Sequence, residues 1–364
     1  MQAKIEKILR ETPGIKAKDI AKKLAVEKKD LNSFLYAHLD FFHKDEDHCW
    51  SLKGSEQRIE LAANCWVDCP SFEKTLAAAG SPLDSNAKSF VFVVPDDCKL
   101  LLEASARLMA LLNQLAHSGK AVTIDFTQCY ATLKFLDRIG FFDQLNEKVV
   151  VLPQRPETSA ATIYKGNNNV LVEFGAIDPI HPDETIPKQL KESFVAQAGT
   201  KYSQAAFTVI TELFGNVRDH SKSPLPGFVA LQCYKNRKLP HIQTVISDSG
   251  IGIVGTLIPI LERKYPKIFR ELASSDSPPE KLLLKKVFTL GEISQSDDKG
   301  RGLGLKSSSD AASKFDATIL VRQERCEARF SYRNGQLRTF EFDGDMPRIM
   351  GTHICFDFLL DPKA

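Results

Sequence analysis

Apolar residues recur at helical spacing from the start of the chain. Ile5, Ile8 and Leu9 predict a helix over 3–11, ended by Thr12-Pro13-Gly14. Ile20 and Leu24 repeat the period over 16–25, and Leu31, Phe34, Leu35, His38 and Leu39 share one face of a helix over 27–39. Phe41-Phe42, the acidic turn Asp45-Glu46-Asp47 and Cys49-Trp50-Ser51-Leu52 then read as a small hairpin. Residues 54–86, with Gly54, Pro70, Gly80 and Ser81-Pro82 around a short helix at 72–79, read as a connector.

A different rhythm follows. Strands over 89–94, 121–126 and 148–152 alternate with helices over 100–117 and 133–145, which predicts an α/β layer spanning 87–180. Leu100, Leu101, Leu108, Leu111, Leu112 and Leu115 give the first of those helices an apolar face that belongs to a core. Residues 162–165 and 170–174 flank Gly166-Asn167-Asn168-Asn169, a hairpin turn signal. The Pro-rich stretch 178–187 marks a boundary, with His181 in a loop setting. Beyond it, a helix over 203–220, a strand over 242–246 and helices over 257–272 and 280–288 predict a last unit at 188–364. The fold class expected is a multidomain α+β protein.

Composition sharpens this in three ways. The 364 residues exceed the roughly 250–300 at which one hydrophobic core stops growing, so two or three domains are expected. With 43% hydrophobic and 26% charged residues the chain is globular rather than disordered. Its 48 basic and 46 acidic residues leave a net charge of +2, so any nucleic-acid surface must be local. MQAKIEKILR lacks the apolar core of a leader, and no apolar run approaches the roughly 20 residues of a membrane span; no membrane association and a cytoplasmic location are expected. The eight cysteines are scattered, and His43, His48, Cys49, Cys65 and Cys69 lack zinc-knuckle spacing, so reduced, half-buried thiols are expected.

Candidate chemistry concentrates after residue 200. Glu212 and Asn216 stand four apart in the 203–220 helix, so both project from one face, one turn apart. A carboxylate and an amide so placed can hold a water or hydroxyl beside a magnesium ion, which needs few protein ligands when phosphates supply the rest. The strand over 242–246 ends in Ser247-Asp248-Ser249-Gly250-Ile251-Gly252. Its carboxylate can accept a base's exocyclic amine while Gly250 and Gly252 let backbone approach the ligand. Asp298-Lys299-Gly300-Arg301-Gly302-Leu303-Gly304 then runs into a helix, placing free backbone amides at its N-terminus as an anion site. No G-x4-G-K-[ST] occurs, and Gly300 follows a polar stretch rather than a strand, which removes the P-loop and the dinucleotide fold.

In that order the three motifs resemble the N, G1 and G2 boxes of the GHKL ATPase superfamily, over roughly residues 188–364. The resemblance implies ATP and Mg2+ as cofactors, with Asn216 coordinating the ion and Glu212 as general base. It implies Asp248 on the adenine amine, Gly250 and Gly252 shaping the pocket, and Gly300, Gly302 and Gly304 around the phosphates. Thr352, in Gly351-Thr352-His353-Ile354, matches the family's late-strand threonine, and Lys299, Arg301 and Lys306 would stabilise phosphate charge. The intervening segment 253–299, of 47 residues, would form an ordered lid.

Two weaker resemblances complete the picture. Residues 1–53 resemble a winged helix-turn-helix, with Lys22, Lys23, Lys28 and Lys29 for phosphates and Asn32 and Ser33 on the recognition helix. Eleven basic against nine acidic side chains there leave DNA open against a protein partner. Residues 87–180 resemble the STAS fold of anti-sigma antagonists; Thr127 or Thr132 stands nearest that family's phospho-acceptor. Ala364 closely follows the last predicted strand, so no further domain is expected to supply a lysine to the γ-phosphate. The nearest likeness is then to anti-sigma serine kinases, which implies ATP hydrolysis or phosphorylation of a Ser or Thr on a STAS-like partner or regulator. A non-catalytic nucleotide-sensing transcription regulator, or an adaptor working by docking alone, is the alternative, and a homodimer stays open.

Overall fold

The computed structural model describes residues 1–364 apart from 13–14, 40, 45–47, 53–55, 179, 236–238, 292, 294–303, 315 and 361–364. It is a mixed α+β structure whose buried apolar residues fall into three clusters. In the first, helices Gln2–Glu11, Ala17–Leu24 and Lys28–Ala37 pack on an antiparallel sheet in which Cys49–Leu52 lies between Ile15–Lys16 and Phe42–Lys44. Ile5, Leu9, Ile20, Leu31 and Leu35, the positions the helical spacing selects, fill its core with Phe42 and Trp50 from the strands.

The second cluster is built on a parallel sheet of Glu56–Glu60, Ser89–Val93, Ala121–Asp125 and Val150–Leu152, in that order. Residues 54–86 are therefore more than a connector. Glu56–Glu60 is an edge strand, and Cys69–Ala79 is a helix whose N-cap Asp68 accepts from the Ser71 amide at 2.9 Å. The helix expected over 133–145 is broken at Gly140, where φ is +78°, into Tyr130–Arg138 and Phe141–Gln144. The hairpin expected around 166–169 does not form. Ser159 caps a short helix, Ala160–Tyr164, and Leu171–Ile177 pairs instead with Gly227–Tyr234.

Leu171–Ile177 thereby becomes the edge of a seven-stranded, fully antiparallel sheet. The order continues through Gly227–Tyr234, His241–Ser247, His353–Leu359, Ala317–Arg322, Glu327–Arg333 and Gln336–Asp343. Its central strands are buried on both faces and read as near-continuous apolar runs. Alternate residues go opposite ways. Val229, Leu231, Ile246, Ile319 and Phe356 join the third cluster, beneath helices Thr185–Ala198, Ser203–His220, Pro279–Thr289 and Gly304–Ser313. Phe228, Ala230, Val245, Leu320 and Cys355 face back into the second cluster.

What covers that back face is helix Leu102–His117. It lies between the parallel and antiparallel sheets, so nearly its whole circumference is buried, including Glu103, Arg107 and Gln114. Each of the three finds a partner. Glu103 accepts from Gln243 and from the Cys69 amide; Arg107 pairs with Glu73 at 2.7 Å and with Glu327. Arg322, fully buried at the end of its strand, donates to Glu73 at 2.9 Å. Among the described residues no helix is long and apolar enough to cross a membrane.

Candidate functional site

The site forms where strand His241–Ser247 ends. Asp248 is buried, its backbone amide donates to the Thr352 carbonyl at 2.9 Å, and its carboxylate accepts from the Gly250 amide at 2.7 Å. Burial pushes this carboxyl up to about 6, against the opposing pull of the Gly250 and Thr352 amides. The turn is possible only with glycine. A Cβ at Gly250 would overlap the carbonyl oxygen of Ser221, and one at Gly351, where φ is +97°, would overlap the Asp248 carbonyl.

Ser221 is the C-cap of helix Ser203–His220, and its carbonyl also accepts from the Ile251 amide at 3.3 Å. Two motifs separated along the sequence are thus joined directly. On that helix Glu212 is exposed, and Asn216, one turn on, is half-buried. The Asn216 amide nitrogen is buried without a hydrogen-bond partner among the described residues, so this side chain keeps unspent polar capacity. Helix Gly304–Ser313 packs along the same helix, with Gly304 as its first residue. Lys299, Gly300, Arg301 and Gly302 lie outside the described residues.

Thr352 is buried next to the carboxylate, and its hydroxyl accepts from Gln323 at 3.3 Å. Gln323 also accepts from the Val254 amide at 3.3 Å and sits close to Gly252, where φ is +72°. His353 bridges the same wall: one ring nitrogen meets the Ser247 hydroxyl, and the other donates to the Met350 carbonyl at 3.0 Å. Burial, with Arg107 and Arg322 adding positive charge, pushes its pKa down to about 3, so the ring is neutral and can accept on one side while donating on the other. Gln323 and His353 carried no signal in the sequence, because each acts through contacts that only the fold creates.

Elsewhere, Thr132 is buried with its hydroxyl bonded to the Cys98 carbonyl, which removes it as an acceptor of phosphate. Thr127 is exposed at the end of strand Ala121–Asp125, its hydroxyl 2.7 Å from Asp125. Lys22, Lys23, Lys28, Lys29 and Ser33 are exposed and Asn32 half-buried; Leu39 and Phe41 are exposed as well. Among the described residues no three His, Cys, Asp or Glu side chains are grouped to hold a metal. No known protein family matches the chain, and no curated protein is similar to it in sequence.

Proposed function

We propose that residues 188–364 form an ATP-binding domain of the GHKL type and that the protein is an ATP- and Mg2+-dependent regulator. The observation that carries this reading is the turn that holds Asp248. A carboxylate is buried at a strand end, held by backbone amides and walled by glycines that no other residue could replace, with the Asn216 helix capped against it. A buried carboxylate is suited to an exocyclic amine, and adenine presents one. Asn216 would hold Mg2+ through its amide oxygen, and the ion when bound would neutralise phosphate charge. Lys299, Gly300, Arg301, Gly302 and Gly304 would surround the phosphates.

Glu212, exposed one turn before Asn216, is placed to take the proton of a water or of a Ser/Thr hydroxyl on a partner. The oxygen so activated forms a bond to the γ-phosphorus as the bond to ADP breaks, giving phosphate or a phosphoprotein. Residues 1–53 are read as a winged-helix module and the parallel-sheet unit as STAS-like, both under control of the nucleotide. The near-balanced charge of the first module, with an acidic run at 45–47, keeps a protein partner open beside DNA.

Calorimetry with MgADP, followed by incubation with ATP labelled at the γ-phosphate, tests the reading. Saturable binding that Asp248→Asn abolishes is expected, with label released or moved to a partner only when Glu212 is intact. Absence of binding by the unaltered protein would sink it. Binding without turnover would leave the non-catalytic sensor.

A further inference from the structure

Helix Leu102–His117 lies outside the proposed ATP-binding domain, yet one of its side chains reaches the loop that builds the base pocket. Gln114 is buried near the C-terminal end of that helix. Its amide nitrogen donates to the Ser249 hydroxyl and to the Met350 carbonyl, both at 2.9 Å, and its amide oxygen accepts from the Met350 amide at 2.9 Å. Ser249 is the neighbour of Asp248. Met350 precedes Gly351, whose backbone lies against the Asp248 carbonyl, and Thr352, whose carbonyl holds the Asp248 amide.

One side chain therefore ties together the two segments between which Asp248 is held. His353 ties them a second time through Ser247 and Met350, but from within the same sheet. Gln114 comes from 135 residues before Ser249 and from a different core. A primary amide is the group this task needs, since it donates and accepts at once without charge beside a buried carboxylate.

We propose that Gln114 is a positioning residue of the base pocket and that helix Leu102–His117 transmits the state of the parallel-sheet unit to nucleotide affinity. The proposal rests on the ATP-binding reading. Coupling of this kind is reciprocal: whatever shifts the helix changes nucleotide affinity, and bound nucleotide resists the shift.

The test compares the unaltered full chain with Gln114→Met, which keeps the length and loses all three hydrogen bonds, and with Ser249→Ala, which loses one. Binding of MgADP and of magnesium pyrophosphate, which lacks a base, is measured by calorimetry, with far-UV circular dichroism and thermal unfolding as checks on folding. Gln114→Met is expected to weaken MgADP at least tenfold while changing magnesium pyrophosphate far less, because the contact serves base recognition and not phosphate binding. Ser249→Ala should move in the same direction by a smaller factor, and it carries the test if Gln114→Met does not fold. Unchanged MgADP affinity in both folded variants, or an equal loss for MgADP and magnesium pyrophosphate, overturns the role of Gln114 while leaving the ATP-binding reading intact. An unaltered protein that does not bind MgADP overturns both together.

Discussion

Asp248 holds its carboxyl in a place that disfavours charge, and this sets how pH acts on the protein. Its folded-state pKa, about 6, lies above the ordinary 3.8, so folding favours the protonated form. The contribution to stability is fully present below 3.8 and is lost as pH rises through 6, a change of about 3 kcal/mol for a shift of that size. Urea unfolding of the unaltered protein and of Asp248→Asn across pH 4–7 should show the gap between them move against the unaltered protein as pH rises. A gap that stays flat would contradict the burial argument. If Asp248 holds a base as proposed, base affinity should run the other way, falling below about pH 6 because a neutral carboxyl is the weaker acceptor for an amine. Gly250→Ala belongs at the same scale. Its new methyl would meet backbone rather than a side chain able to move, so loss of both nucleotide binding and several degrees of melting temperature is expected in thermal unfolding with and without MgADP. Asp248, Gly250 and Asn216 were legible in the sequence because each lies in a short local motif. Gln323 and Gln114 were not: their roles depend on partners 29 and 236 residues away.

Among the elements, the sequence is most informative where a signal is local and chemical. Asp68-Cys69-Pro70 carries such a signal, an N-cap and then a proline in the first turn of helix Cys69–Ala79, although the helix expected there begins only at 72. Asp68 accepts from both the Ser71 amide, at 2.9 Å, and the Ser71 hydroxyl, at 2.7 Å. Asp68→Ala should cost about 1 kcal/mol in denaturant unfolding with no change in the slope, whereas Asp68→Asn should recover most of it. Glycine and proline elsewhere in 54–86 suggested a linker only because strand Glu56–Glu60 is short and takes its pairing from Ser89–Val93, beyond the helix. The false hairpin has a similar origin. Gly166 and three asparagines are strong turn residues, but the turn they make joins helix Ala160–Tyr164 to a strand whose partner starts at Gly227. Period alone could not reveal that helix Leu102–His117 is covered all round, since its polar residues imitate a solvent face.

For the whole molecule the decisive feature is that the seven-stranded sheet contributes to two cores. Val245 packs toward helix Leu102–His117, and its neighbour Ile246 toward the helices on the other side, so neither core can open without exposing strand His241–Ser247. The charges follow the same plan. Glu73 on helix Cys69–Ala79 neutralises both Arg107 and Arg322, at 2.7 and 2.9 Å, and all three are buried. Removing the shared carboxylate leaves Arg322 without an acidic partner among the described residues and Arg107 with Glu327 alone. For an uncompensated buried charge the expected loss is about 3–5 kcal/mol. Glu73→Ala should therefore destabilise both units at once, and Glu73→Gln, which keeps hydrogen-bond acceptance, should cost less. Hydrogen exchange read by mass spectrometry separates this from a local effect. In Glu73→Ala, amides of Ser89–Val93 and of His241–Ser247 should lose protection together at one lower denaturant midpoint, while the module built on Ile5, Ile20 and Trp50, with a core of its own, keeps its midpoint. If the parallel sheet opened first and His241–Ser247 stayed protected, the two cores would be separable. The route from helix Leu102–His117 to the Asp248 pocket would then lose the rigid connection it requires.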